Sequence, residues 1–257
     1  MRGGASFLRR AFMNNSNRTV GVQSNVNLGL RDFMLGTYKY MGAAMAVSAL
    51  VAYFFGMNVL RDGNGGITEI GALLYSPMAA IGLTIGIVVL FGAVGAKLQT
   101  MSISGARIFL FSFASIMGVW LSAIAAFVDP MISVKIFFMA AAMFAGLSLL
   151  GYTTKKDLGP IAKVAFMVFF GFVALNLLGM VFPAMAMTGG MGTILSLVGL
   201  VAISVITAWE TQALKHMYHA TVGDPEMAEK YSVYGAASLL LAFINIFSIL
   251  MNLFGGE

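Results

Sequence analysis

Runs of about 20 apolar residues recur along this chain at intervals of 25 to 30 residues, and an α-helix rising 1.5 Å per residue needs about that length to cross the hydrocarbon core of a bilayer. Seven such runs can be traced: Leu35–Met57, Pro77–Ala96, Ile108–Val128, Ile132–Leu150, Ile161–Val181, a run through Leu195 to Tyr218, and Tyr234–Phe254. In lipid every backbone N–H and C=O must be satisfied within the segment, so each run predicts a helix. The expected fold class is an all-α integral membrane protein with seven transmembrane helices. Composition agrees, at 60% hydrophobic and 10% charged residues over 257 positions with a mean hydropathy of +0.91. The connections are too short to fold by themselves. The division is therefore residues 1–33 as a basic amino-terminal tail, cytoplasmic and disordered, and residues 34–257 as the membrane domain.

Orientation follows from the basic residues. Of the 15 Lys and Arg, all but Arg61 and Lys135 fall in the tail, on alternate connections or at the ends of the runs beside them. Lys and Arg concentrate on the cytoplasmic side of membrane proteins, which places the amino terminus inside and the carboxyl terminus outside. The net charge of +5 thus reflects this asymmetry and implies no nucleic-acid partner; the lipid bilayer is the partner that composition demands. The tail carries Arg2, Arg9, Arg10, Arg18 and Arg31 but no long apolar stretch, against a cleaved secretory signal. Its arginines serve as a positive-inside anchor, which suits a bacterial cytoplasmic (inner) membrane; its Arg-rich, acid-poor character leaves the mitochondrial inner membrane as the alternative. There is no cysteine, so neither disulfides nor thiolate metal sites arise. No Rossmann, Walker or zinc-ligand spacing interrupts the apolar runs, so no enzyme and no cofactor are expected.

Within the long runs one acidic residue stands out, Glu210 in the segment LSLVGLVAISVITAWETQALKHMYH. A carboxylate at the bilayer centre costs about 3 kcal/mol or more, so it is retained for a partner, a water path or a proton. The competing reading is that Trp209 marks the interfacial aromatic belt and Glu210 is merely wet. Asn176 in the fifth run and Asn245 in the last are the other intramembrane polar residues singled out, each expected to seek a neighbouring helix. Gly42 with Ala46, and Gly82 with Gly86, have the spacing that lets helices approach closely. His216 and His219 lie three apart but lack a third ligand nearby, so no metal site is expected. The final run, uncharged until Glu257, can span or re-enter, and the uncharged FPAMAMTGGMG stretch can loop outside or dip into the membrane.

GYTTKKDLGP after the fourth run, Asn176, AWETQALK closing the sixth and LLLAFINIF in the last resemble, in that order, the Bax inhibitor family (transmembrane Bax-inhibitor-motif proteins), bacterial members in particular. The resemblance implies a seven-helix bundle whose last helix is central, a pH-sensitive calcium leak, a role in stress responses and, for some bacterial relatives, association with an ATP-dependent membrane protease. Calcium enters as a permeant ion. The family's paired aspartates, one in a DTQ motif and one in an LDFIN-like motif, correspond here to Glu210 and Ala242. A latch of two carboxylates sharing one proton therefore cannot form. Glu210 is the candidate gating carboxylate, with Asn245, one turn from Ala242, as its neutral partner and Asn176 along the ion pathway. The alternative function is a non-conducting interaction protein that modulates a membrane protease or stress pathway. Oligomeric state is not legible.

Overall fold

The computed structural model describes the backbone of residues 4–62 and 66–255, with side chains from residue 28 onward. Helix α1 (Gly4–Phe55) continues as one π-helical turn, Gly56–Leu60; the short α2 (Glu69–Leu74) follows, then α3 (Pro77–Lys97), α4 (Ile103–Phe127), α5 (Pro130–Thr153), α6 (Gly159–Val181), a single 3-10 turn at Pro183–Met185, α7 (Gly189–Ala220) and α8 (Pro225–Phe254). Seven of these are long and apolar enough to cross a membrane, the first counted over Leu28–Leu60. Among the described residues the only strand-like pairing is the bridge between Arg61 and Ile67.

The helix starts are written locally. Ser76, Ser102, Asp129 and Asp224 each accept a hydrogen bond from a backbone N–H of the first turn, satisfying donors the helix cannot. Three of these caps precede a proline, whose missing N–H costs nothing at the first helical position. Capping moves several boundaries from where hydropathy put them. Asp224 starts α8 ten residues before Tyr234, so Glu226, Glu229 and Lys230 belong to the helix and not to a solvated loop. Ser102 likewise places Arg107 inside α4. No break in α1 marks residue 33: Leu30, Phe33 and Met34 are already buried against the bundle, so core packing begins within the stretch assigned to the tail. Side chains up to residue 27 lie outside the described part.

The last segment is one unbroken helix of 30 residues, about 45 Å long at the α-helical rise, which excludes a re-entrant hairpin. It contributes the longest series of buried side chains, from Val233 through Met251, and packs against α1, α4, α5 and α7. Helices α3 and α6 are at the periphery, with few buried residues; large apolar side chains such as Val89, Met167 and Phe170 are exposed to what in a membrane is lipid. Of the FPAMAMTGGMG stretch, residues 182–188 form an exposed connection containing the 3-10 turn, and α7 opens at Gly189 with φ 61°, a backbone region that costs glycine nothing.

Close helix approaches occur elsewhere than the glycine spacings suggested. Gly42, Gly82 and Gly86 have open space where a side chain would be. The tight contacts are at Gly118, where a Cβ would meet the Ser48 backbone of α1, and at Gly151, where it would run into the carbonyl of Ala208. A small-residue spacing reports only that approach is allowed; which face is turned inward decides whether it happens.

Candidate functional site

Gly151 brings the carboxyl-terminal end of α5 against α7 at Ala208, and the next turns of α7 carry the polar residues of AWETQALK. Thr207 and Thr211 are buried and bond back to Ile203 and Thr207 carbonyls of their own helix at 2.7 and 3.3 Å. Gln212, also buried, reaches across to the TTKKDL loop. Its Nε2 donates to the Lys156 carbonyl at 2.8 Å and to the Thr154 carbonyl at 3.4 Å, while its Oε1 accepts from the Leu158 N–H at 2.8 Å. One side-chain amide thus closes the backbone of the whole loop. Lys215, one turn later, donates to the Tyr152 carbonyl and lies over the Tyr152 ring.

Two residues before Gln212, Glu210 turns toward α8. Its Oε1 accepts a hydrogen bond from the Ser238 hydroxyl at 2.7 Å. Its Oε2 is enclosed and has no partner. The carboxylate borders a cavity of about 250 Å³ between α6, α7 and α8, lined by Phe166, Trp209, Tyr234 and Ser238 among others. Trp209 packs edge-on against Phe166 with ring centroids 5.5 Å apart and is a wall of this cavity. Tyr234 donates its hydroxyl to the Phe91 carbonyl of α3 at 3.3 Å. Glu210 lies about 3 Å along the helix axis from Gln212, the residue that holds the loop. Glu210 as a whole is half-buried, with its Oε2 shielded.

The neutral partner of Glu210 is Ser238, not Asn245. Asn245 donates to the Leu241 carbonyl of its own helix at 2.9 Å, and Ala242 between them is buried. Asn176 does the same with the Phe172 carbonyl at 2.8 Å and is exposed on peripheral α6, away from the cavity lining. An asparagine in an apolar helix can satisfy itself on the preceding turn, and both do. The structure brings none of the three predicted site residues together. Ser238 and Gln212 were missed, although each is a polar residue inside an apolar run, the same signal that picked out Glu210.

At the same end of the bundle Arg107 of α4 forms an ion pair with Glu229 of α8. The Tyr40 hydroxyl of α1 donates to Glu229 Oε1 at 2.8 Å and accepts from Arg107 Nε at 3.1 Å. The Thr37 and Ser232 hydroxyls are 3.0 Å apart alongside, and Lys230, almost fully buried, pairs with Glu226 at 2.7 Å. Among the described residues no group of three or more His, Asp or Glu is arranged to hold a metal ion.

A family model described as Inhibitor of apoptosis-promoting Bax1 matches residues 30–257. An Escherichia coli K12 protein named inner membrane protein YbhL is 28% identical over 230 residues, 89% of this chain and 93% of its own length. YrjE of Lactococcus lactis is 30% identical over 246 residues, covering 95% and 97% of the two chains, and RP147 of Rickettsia prowazekii is 28% identical over 250 residues, covering 93% and 95%. The TTKKDL loop and the WETQ turn that carried the sequence resemblance are joined through Gln212, and the match extends over the bundle from the point where α1 first enters the core. The chain belongs to the Bax inhibitor family.

Proposed function

We propose that this protein is a pH-sensitive cation leak of a bacterial inner membrane, calcium being the permeant ion, with Glu210 as its gating carboxylate. The observation that carries the reading is the enclosed carboxylate with one oxygen held by Ser238 and the other unpartnered at the edge of a cavity. An acidic group inside a membrane protein marks an ion or proton path by default. Ser238 takes the place of a second carboxylate: it donates to Glu210 and carries no charge, so this latch involves one proton-binding group instead of a coupled pair. The cavity offers too few oxygens to retain calcium, which binds through 6–8 of them, and a conduction path requires sites that ions leave easily. Inner-membrane residence is supported by the name of the E. coli relative and by the clustering of Arg107, Lys156 and Lys215 at one end of the bundle.

Calcium flux into dye-loaded liposomes, measured across a pH series, tests this. The unsubstituted protein should conduct with a pH dependence that Glu210→Gln removes, because glutamine keeps the acceptor for Ser238 but binds no proton. Ala242→Asp should add a second titrating group and change the profile. Absence of flux at every pH would overturn the leak and leave the non-conducting partner of a membrane protease or stress pathway. The exposed Lys155 and Lys156 of the Gln212-held loop are the surface such a partner would meet.

A further inference from the structure

The walls of the Glu210 cavity have a chemistry that a leak does not use. Three aromatic rings, Phe166, Trp209 and Tyr234, line it together with aliphatic residues of α7 and α8. The only charged group is Glu210, whose Oε2 is enclosed, unpartnered and at the cavity edge. At about 250 Å³ the space would hold about eight waters by their share of liquid volume, or one small organic molecule.

An aromatic-walled cavity with one carboxylate discriminates sharply among cations. Calcium and magnesium take six or more oxygens and zinc is held mainly through His and Cys, whereas the lining supplies the Glu210 carboxylate and the hydroxyls of Ser238 and Tyr234. A primary ammonium carries three strong donors, for which Glu210 Oε2 is the one uncommitted charged acceptor. A quaternary ammonium has no donors; it is attracted to aromatic faces through their quadrupoles and to a carboxylate through charge, and its methyl groups suit apolar walls. We propose that this cavity is a binding site for a small quaternary ammonium cation of the choline type, with Glu210 as counter-ion and Trp209, Phe166 and Tyr234 as aromatic walls. The site shares Glu210 with the leak but does not rest on it, since binding can be read where no ion moves. Its position near the loop end of the bundle admits two sources of the same chemistry, a free cation or the headgroup of a phosphatidylcholine.

Trp209 is a reporter already in the wall. The other tryptophan, Trp120, stacks on Tyr75 of a different helix pair and is replaced by Phe, which retains a ring there. Protein in phosphatidylglycerol nanodiscs is titrated with choline and with dimethylbutanol, its uncharged carbon isostere, following Trp209 emission. Choline should give a saturable change at a concentration at least tenfold lower than dimethylbutanol, and Glu210→Gln should erase that preference. Equal responses to the two compounds, or no saturable response to choline, would overturn the proposal; this comparison needs no substitution at Glu210 and so stands even if E210Q fails to fold. An undiminished preference in a folded E210Q would overturn it too. Repeating the titration in phosphatidylcholine discs distinguishes the sources: weaker apparent choline binding assigns the headgroup as occupant, unchanged binding the free cation. Calcium flux enters nowhere, so a failed leak and a failed cation site give different results.

Discussion

Ser238 and Gln212 do at the residue scale what no charge pattern announced. Among the described residues Ser238 supplies the one hydrogen bond that the Glu210 carboxylate accepts, and a hydrogen bond to a charged group contributes about 1.5–3 kcal/mol. If that bond holds the closed state, Ser238→Ala should raise calcium flux at neutral pH by roughly tenfold, the factor that about 1.4 kcal/mol represents, in the same liposome assay. Unchanged flux in a correctly folded variant would show that Ser238 is no latch. Gln212 is different in kind, since its three bonds go to backbone groups of a loop. Gln212→Leu leaves the Leu158 N–H and two carbonyls without that partner, at a cost of about 1–3 kcal/mol. A lower melting temperature in detergent together with new protease cleavage between Thr154 and Leu158 is the expected result. The glutamine is legible as a buried-polar candidate from its place in WETQ; its three partners are not, because they lie 54 to 58 residues away in sequence.

At the scale of elements, the joint between α5 and α7 positions the site. Gly151 lets α5 close on the Ala208 backbone, and only at that separation does Gln212 span to the loop that follows α5. Gly151→Val inserts three carbons where there is no room, and overpacking of this kind costs about 1–3 kcal/mol. Gly86→Val, on an open face of α3, should change stability little beyond the small difference in helix propensity. Thermal unfolding of the two variants in one detergent checks the pair; comparable losses would mean that the small-residue spacing of α3 also packs against something. Sequence spacing marked Gly82 and Gly86 as places where a helix is allowed to approach and passed over Gly151, because spacing records periodicity along one helix and is silent about where its neighbour lies. The Arg107–Glu229–Tyr40 cluster joins α4, α8 and α1 but is partly exposed. Exposed pairs contribute about 0–1 kcal/mol, so its service is to fix the register of three helices more than to stabilise them.

For the whole molecule, seven helices are long and apolar enough to cross a membrane, an odd number that predicts termini on opposite sides, and Arg107, Lys156 and Lys215, each tied to a neighbouring helix, gather at one end of the bundle. A topology reporter fused at the carboxyl terminus should be active outside and one fused at the amino terminus inside; the reverse pair would invert the orientation expected from the basic residues and with it the cytoplasmic side of the proposed leak. Length and hydropathy by themselves determined that the chain is all-helical and how many of its segments are long and apolar enough to cross a membrane, since a bilayer imposes that rule segment by segment; charge alternation adds the expected orientation that the two reporters test. They also exposed Glu210, because a carboxylate among apolar residues is conspicuous without any knowledge of its surroundings. Only the tertiary structure decided that Glu210 meets Ser238 rather than Asn245, that Asn176 faces outward and satisfies itself, and that a cavity walled by aromatics lies beside the carboxylate. Those outcomes depend on the rotation of each helix about its own axis, which packing against several neighbours sets at once and which no single apolar run encodes.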